Sequence, residues 1–320
     1  MEGNKVLTIG DSSVDRFFEI AQQEASLLAD INTKDLFISF SYGEKIPVSD
    51  VHQFFGGSAL NTAIGFAKLG LPTSIATITG TDNDGQKILD YLKENSIDTC
   101  SCQSHETTNQ AVIIIYKGER TILSYHVKRS YAGLELPDSN YIYLTSANHG
   151  IDDLVPKITD RIKQGTKLFF NPGSWELKNF DLFKGLLDGC EMLILNKSEA
   201  DITIGEMPTI KQLEKMLSLG VEIGVITDGA NGAYLAQDSK TIHMNTFATS
   251  IVDPTGAGDS FSTGLVGAYV LGRPTETAIK WGMINSASVI SHVGANKGLL
   301  DASQIEQTLQ EAKSLKISVL

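Results

Sequence analysis

The sequence predicts an α/β protein built on a largely parallel sheet covered by helices on both faces. Three observations carry this. Short apolar runs recur at 6–10, 73–79, 141–145, 167–170, 192–195 and 223–227. Amphipathic helical patterns lie between them at 60–69, 86–95, 151–164, 210–219, 261–271 and 276–292. The two kinds of segment alternate, which is the signature of parallel crossover units. Ligands in such sheets bind at the carboxyl ends of the strands, where the loops collect.

Two stretches break the rhythm. Residues 36–41 followed by 51–55 read as extended chain, and 111–116 with 121–127 read as a hairpin turning at Lys117-Gly118-Glu119-Arg120. Strands without an intervening helix predict a small separate sheet, either a lid over the strand ends or an extension of the main sheet. No repeat or linker divides the chain, and 320 residues fit one large α/β domain with an insertion.

Bulk properties narrow the function. A net charge of −12 argues against a nucleic-acid-binding face, which needs clustered Lys and Arg. Cys100, Cys102 and Cys190 are odd in number and lack C-x-x-C spacing, so they read as free thiols of a reducing compartment. The start, MEGNKVLTIGD, has no signal-peptide pattern, and no apolar run approaches the roughly 20 residues of a membrane span. A cytoplasmic location and no membrane partner are the expectations.

The most informative segment is Asp253-Pro254-Thr255-Gly256-Ala257-Gly258-Asp259. Phe261, Leu265, Ala268 and Tyr269 follow at helical spacing, so the glycines sit at a helix N-terminus. First-turn N–H groups there lack intrahelical partners, and glycine lets a phosphate approach them closely. Asp259 beside that anion hole could take a proton from an attacking hydroxyl. It could equally be a first-turn carboxylate that complements the helix dipole. The turn alone leaves both readings open.

Four further motifs share the chain with this one: Gly10-Asp11-Ser12-Ser13-Val14-Asp15, Gly56-Gly57-Ser58-Ala59-Leu60-Asn61, Asn196-Lys197-Ser198-Glu199 and Thr227-Asp228-Gly229-Ala230-Asn231-Gly232. With the turn at 253–259, and with 285–298 after it, they stand in the order of the ribokinase-like (pfkB-type) carbohydrate kinases, which the sequence resembles over almost its whole length. The resemblance implies a three-layer α/β/α sandwich across 1–320, with a small β-sheet lid from roughly 36–55 and 111–127. It implies ATP-dependent phosphorylation of a sugar hydroxyl with Asp259 as base and Gly256, Ala257 and Gly258 as anion hole. Asp15, Gly56, Gly57 and Asn61 would hold the acceptor. Asn196 and Glu199 would position Mg²⁺ and the ATP phosphates, and Thr227, Gly229, Gly232 and Asn285 the nucleotide. A monovalent cation such as K⁺ would sit among Asp253, Thr255, Val289, His292, Gly294 and Gly298. Family precedent also implies a homodimer through the lid.

Gly56-Gly57-Ser58 also resembles the adenosine kinases of the same superfamily, which keeps a nucleoside acceptor open beside a sugar; Tyr116, Arg129 and Tyr131 could contact either. Singly, each motif has a plainer reading. Asp15 could cap a helix, Gly56-Gly57 could be a turn, Asn196 with Glu199 could form a capping arrangement, and His292 could be packed or solvated.

Competing chemistries lack parts. An esterase using Ser12 of Gly10-Asp11-Ser12 needs a D-x-x-H base, and none of the six histidines has an Asp three residues earlier. Asp82-Asn83-Asp84-Gly85-Gln86 fails both as a phosphatase nucleophile loop and as a calcium loop, and neither a G-x-x-x-x-G-K-[ST] nor a G-x-G-x-x-G motif is present. No H-x-x-x-H pair supports zinc. A nucleotide-dependent binding protein on a kinase fold is the non-enzyme alternative.

Overall fold

A computed structural model describes residues 3–30, 33, 35–312 and 314–320. The strands are β1 Val6–Ile9, β2 Ser13–Ile20, β3 Ser26–Ala29, β4 Leu36–Ser39, β5 Val48–Gly56, β6 Thr73–Gly80, β7 Asp98–Ser104, β8 Asn109–Tyr116 and β9 Glu119–Tyr125, then β10 Tyr141–Leu144, β11 Lys167–Phe170, β12 Cys190–Asn196, β13 Ile223–Thr227, β14 Ala233–Gln237, β15 Lys240–Met244 and β16 Ile317–Val319. The α-helices are α1 Ser58–Lys68, α2 Asn83–Glu94, α3 Val155–Lys163, α4 Ser174–Lys178, α5 Lys184–Leu187, α6 Lys197–Thr203, α7 Thr209–Ser218, α8 Ala257–Val270, α9 Thr275–Val289 and α10 Ala302–Glu311.

Ten strands form the main sheet in the order β16-β15-β14-β13-β12-β11-β10-β1-β6-β7. From β7 to β13 every pairing is parallel, whereas β13 to β16 pair antiparallel, an extension the alternating pattern does not signal. Period-2 geometry sorts the apolar runs into two cores. Leu7, Ile9, Ile142, Leu144, Leu168 and Phe170 face one side with Ile158, Leu187, Leu213 and Met216 from α3, α5 and α7. Val6, Tyr143, Phe169, Met192 and Ile194 face the other with Leu265, Val266, Ile279, Trp281 and Ile305 from α8, α9 and α10. Strands buried on both faces read as continuous apolar runs for this reason, and the result is the expected three layers.

A second sheet runs β5-β2-β8-β9, with β2 antiparallel to β5, parallel to β8, and β8 antiparallel to β9. Two expectations change here. Residues 36–39 do not join it but pair with β3 in a separate ribbon, and β2 takes a central place. The strand character of β2 is masked in sequence by Asp15, Arg16 and Glu19; Arg16 is neutralised by Asp84 and donates a hydrogen bond to Gln110. The hairpin turn is also tighter than expected. Lys117 (φ 53°) and Gly118 (φ 81°) alone make it, the left-handed pair of a two-residue hairpin turn. β2 leaves β1 after only three residues, so the loop at the carboxyl end of β1 leads directly into the second sheet.

Candidate active site

The site lies where α8 begins. Gly256, at φ 77°, is its N-cap, and among the described residues no side chain caps the helix. A Cβ at Gly256 would sit 2.3 Å from the Ala295 carbonyl oxygen, so left-handed backbone and close packing both demand glycine. The Ala257 amide closes the turn on the Pro254 carbonyl at 3.2 Å. Gly256, Ala257 and Gly258 line a cavity of about 350 Å³, with Ser58, Asn171, Asn196, Glu199 and Asp259 around it. A second cavity of about 390 Å³ shares Thr227, Pro254, Ala257, Gly258 and Phe261 with the first. Its remaining wall includes Gly229, Gly232, Phe247, Ile251, Met283, Ala287 and Ile290. A polar chamber and an apolar one thus meet across a helix N-terminus. That arrangement suits a ligand with a phosphate end and a flat apolar end.

Asp259 stands in the first turn of α8 and accepts a hydrogen bond from Asn61 Nδ2 at 2.9 Å. Burial pushes its carboxyl up to about 6, against hydrogen bonds from Asn61 and Ser58, with the charges of Asp15 and Glu199 adding to the rise. A carboxylate that simply complemented a helix dipole would be shifted downward. Asn61 is itself buried in α1 and held by Asn296 at 3.4 Å.

Asp15 lies on β2, where the Ser13 hydroxyl donates to Oδ1 at 2.8 Å. Burial raises its pKa and that hydrogen bond opposes the rise. The two glycines have separate jobs. A Cβ at Gly56 would fall 2.1 Å from Asp15 Oδ2, and Gly57, at φ 95°, would place one 2.6 Å from the Asp11 carbonyl oxygen. Asn196 and Glu199 form a full capping box on α6, with bonds of 2.9 and 2.8 Å, while both still face the polar cavity. The capping reading of that motif is thus realised, and both residues also line the polar cavity.

Several expected residues have other work. Asn285 is buried, donates to the Ser260 carbonyl at 2.8 Å and accepts from the Leu300 amide at 3.0 Å, so it ties α9 to α8 instead of lining the apolar cavity. Tyr116 donates to the carbonyls of Gln22 and Ala25. Arg129 is spent on Ser104, Asn109 and the Thr107 carbonyl, and Tyr131 is core. Ser12 is buried against Thr77 Oγ1 at 3.1 Å, and Asp82 caps α2 through the Gly85 amide, which removes the esterase and phosphatase readings.

The expected cation site also changes. Asp253 Oδ1 and Thr255 Oγ1 both bind the guanidinium of Arg120. Asp253 further accepts from the Thr255 amide at 2.7 Å and, through Oδ2, from the Gly294 amide at 2.9 Å. The Val289 carbonyl takes the His292 amide, the His292 ring turns to the Ser288 carbonyl, and the Gly298 carbonyl takes the Ser288 hydroxyl. A monovalent ion about 4 Å from the guanidinium would face roughly 4 kcal/mol of repulsion at an effective dielectric of about 20. These residues do not fit an added cation.

Sequence reasoning missed three carboxylate or cationic partners. Asp11, at the end of β1, accepts from the Ser58 amide at 3.1 Å, and burial with the charges of Glu176 and Asp259 pushes it up to about 8. Glu176 accepts from the Ala147 and Asn148 amides at 2.9 and 2.8 Å, while its Oε2 is buried with no hydrogen-bond partner among the described residues. Asp11 was visible in its motif; Glu176 and Arg120 had no local signal.

Fold and site together define a class: a mainly parallel α/β protein with a glycine-rich helix-start turn beside a half-buried carboxylate. Residues 26–302 match the family described as pfkB family carbohydrate kinase, and the chain belongs to that family of ATP-dependent phosphotransferases acting on hydroxyl groups. Among curated relatives, it is 26% identical to the ribokinase of Haemophilus influenzae over 90% of this chain and 98% of that one. It is 26% identical to an ATP-dependent 6-phosphofructokinase of Thermoanaerobacterium thermosaccharolyticum over 87% and 92%. The fold matches an Arabidopsis thaliana ribokinase complexed with ribose and ATP at a TM-score of 0.77, with 20% identity and 96% and 99% coverage. Among the described residues, no helix is long and apolar enough to cross a membrane.

Proposed function

We propose that the protein transfers the γ-phosphoryl group of ATP to a hydroxyl of a small uncharged sugar, with Asp259 as general base. The observation that carries this is the Asp259 carboxylate, half-buried, raised toward neutrality and set beside the glycine-rich turn. Adenine fits the apolar cavity beside Thr227, Gly229 and Gly232, and the phosphates fit the polar one. The acceptor lies between Asp15, Gly56, Gly57 and Asn61. Asp259 takes the hydroxyl proton as the new P–O bond forms and the bond to ADP breaks, while the Gly256, Ala257 and Gly258 segment faces the developing phosphoryl charge.

Among the described residues no cluster of three or more acidic, His or Cys side chains could cage a metal. Mg²⁺ would enter with the nucleotide, held by phosphates, water and the Asn196 and Glu199 pair. When bound it supplies charge neutralisation along the phosphates. Closure of the β2–β5–β8–β9 sheet over the acceptor would exclude water as a competing nucleophile. On its edge strands, Val51, Ile122 and Leu123 are exposed and supply a surface for a second copy.

Charge argues for a neutral acceptor. Asp11, Asp15 and Glu176 gather with Asp259, and each raises or is raised by its acidic neighbours or burial. Arg16 and Arg129 are already engaged, and burial holds the His126 ring beside Asp11 below its usual pKa. A phosphorylated or carboxylated sugar would meet the like charge of Asp259 and deepen the disfavoured ionisation of Asp11, Asp15 and Glu176 here. ADP release measured across ribose, fructose, fructose 6-phosphate, 2-keto-3-deoxygluconate, adenosine, inosine and cytidine tests the reading. Highest kcat/KM with a neutral sugar is expected, falling about tenfold per pH unit below about 6 as Asp259 protonates. Preference for an anionic sugar, or for a nucleoside, overturns the acceptor assignment. Nucleotide binding without turnover on any acceptor supports the binding-protein alternative.

A further inference from the structure

We infer that Arg120 is a built-in cation for the phosphate turn, standing where a free monovalent ion would otherwise bind. Its position follows from the hairpin. The two-residue turn at Lys117 and Gly118 fixes the register of β8 and β9, so that Arg120 pairs with Ile115 at the start of β9. From there its side chain reaches out of the second sheet to Asp253 and Thr255, with the guanidinium on Asp253 Oδ1 and Thr255 Oγ1 together. Both partners of the ion pair are nearly out of solvent, at 13% and 6% side-chain exposure.

Asp253 is the joint. Its other contacts are the Thr255 amide, inside the turn that ends at Gly256, and the Gly294 amide, in the segment after α9. That segment packs so closely on Gly256 that a Cβ there would strike Ala295 backbone. One guanidinium thus neutralises the carboxylate that holds the turn in shape, and it arrives on a strand of the second sheet. The shape of the turn and the seating of that sheet are thereby coupled. Arg120 lines neither cavity, so it acts through Asp253 as a positioning residue.

The rate readout rests on the kinase reading; the melting-temperature readout does not. Wild-type kcat should be the same in potassium, sodium and choline chloride at equal ionic strength, and potassium should not raise its melting temperature above choline. R120A should lose about ten- to a hundredfold in kcat, the scale of one charge-assisted hydrogen bond. It should recover part of that loss with guanidinium ion or potassium, and its melting temperature should rise with potassium. R120K should keep more activity than R120A and remain indifferent to potassium, which decides the matter should R120A fail to fold. A wild type that potassium activates or stabilises overturns the inference. So does an R120A variant with wild-type kcat. If no acceptor is phosphorylated in any salt, the kinase reading fails while the melting-temperature series still decides where the cation resides.

Discussion

Replacing Asp259 by Asn should lower kcat by about 10²–10⁴-fold, the usual contribution of a positioned general base. The amide keeps the shape and can still meet Asn61, but it cannot take a proton from the acceptor. ATP affinity, measured by titration without acceptor, should stay close to wild type, because both cavities and the turn at Gly256 are retained. The loss should appear equally in kcat and in kcat/KM for the acceptor, as expected for an interaction made in the transition state. A D259N enzyme with near wild-type turnover would remove Asp259 from the chemistry. It would leave the phosphate turn as the only functional part of the segment.

The second large effect is expected at Asp15. This carboxylate is half-buried on β2 and, among the described residues, accepts a side-chain hydrogen bond from the Ser13 hydroxyl at 2.8 Å. Gly56 leaves the space beside Oδ2 open, since any larger residue would fill it. In the proposed acceptor site a sugar hydroxyl would donate to that oxygen. D15N should lose about ten- to 150-fold in kcat/KM for the acceptor, the range for a hydrogen bond to a charged group. KM for ATP should be unchanged. Equal losses for ATP and acceptor would point to a collapse of the second sheet, and no loss would remove Asp15 from the acceptor site.

What could be read from sequence follows a physical line. The parallel strands were legible because burial on both faces makes them uniformly apolar, as in 141–144 and 223–227. The turn at 253–259 was legible because backbone conformation and close packing demand glycine at Gly256. β2 was hidden, since charges on a half-exposed strand cancel only against partners such as Asp84 that are distant in the chain. Glu176 and Arg120 were hidden for a related reason. Each gains its role from one long-range contact, to the Ala147 and Asn148 amides or to Asp253, that no local pattern encodes. Asn285 misled in the opposite direction, because a buried amide that staples two helices has the same sequence appearance as one that meets a ligand. The Asn196 and Glu199 motif shows that residues forming a helix cap can also line a cavity.

From the turn alone, Asp259 could be a base or a helix-end carboxylate, and the two make opposite predictions for stability. Its carboxyl is raised from the ordinary 3.8 to about 6. The folded state therefore binds the proton more tightly than the unfolded one. Stability falls as pH rises through that interval, and the full cost, on the order of 3 kcal/mol, is present above about 6. The most direct test is the unfolding free energy of D259N against wild type across pH 4 to 8, by urea denaturation. The desolvated base predicts a variant more stable than wild type at pH 8, with the gain fading toward pH 4. A variant less stable at pH 8, by the few tenths to 1 kcal/mol of a lost helix-end charge, would contradict it.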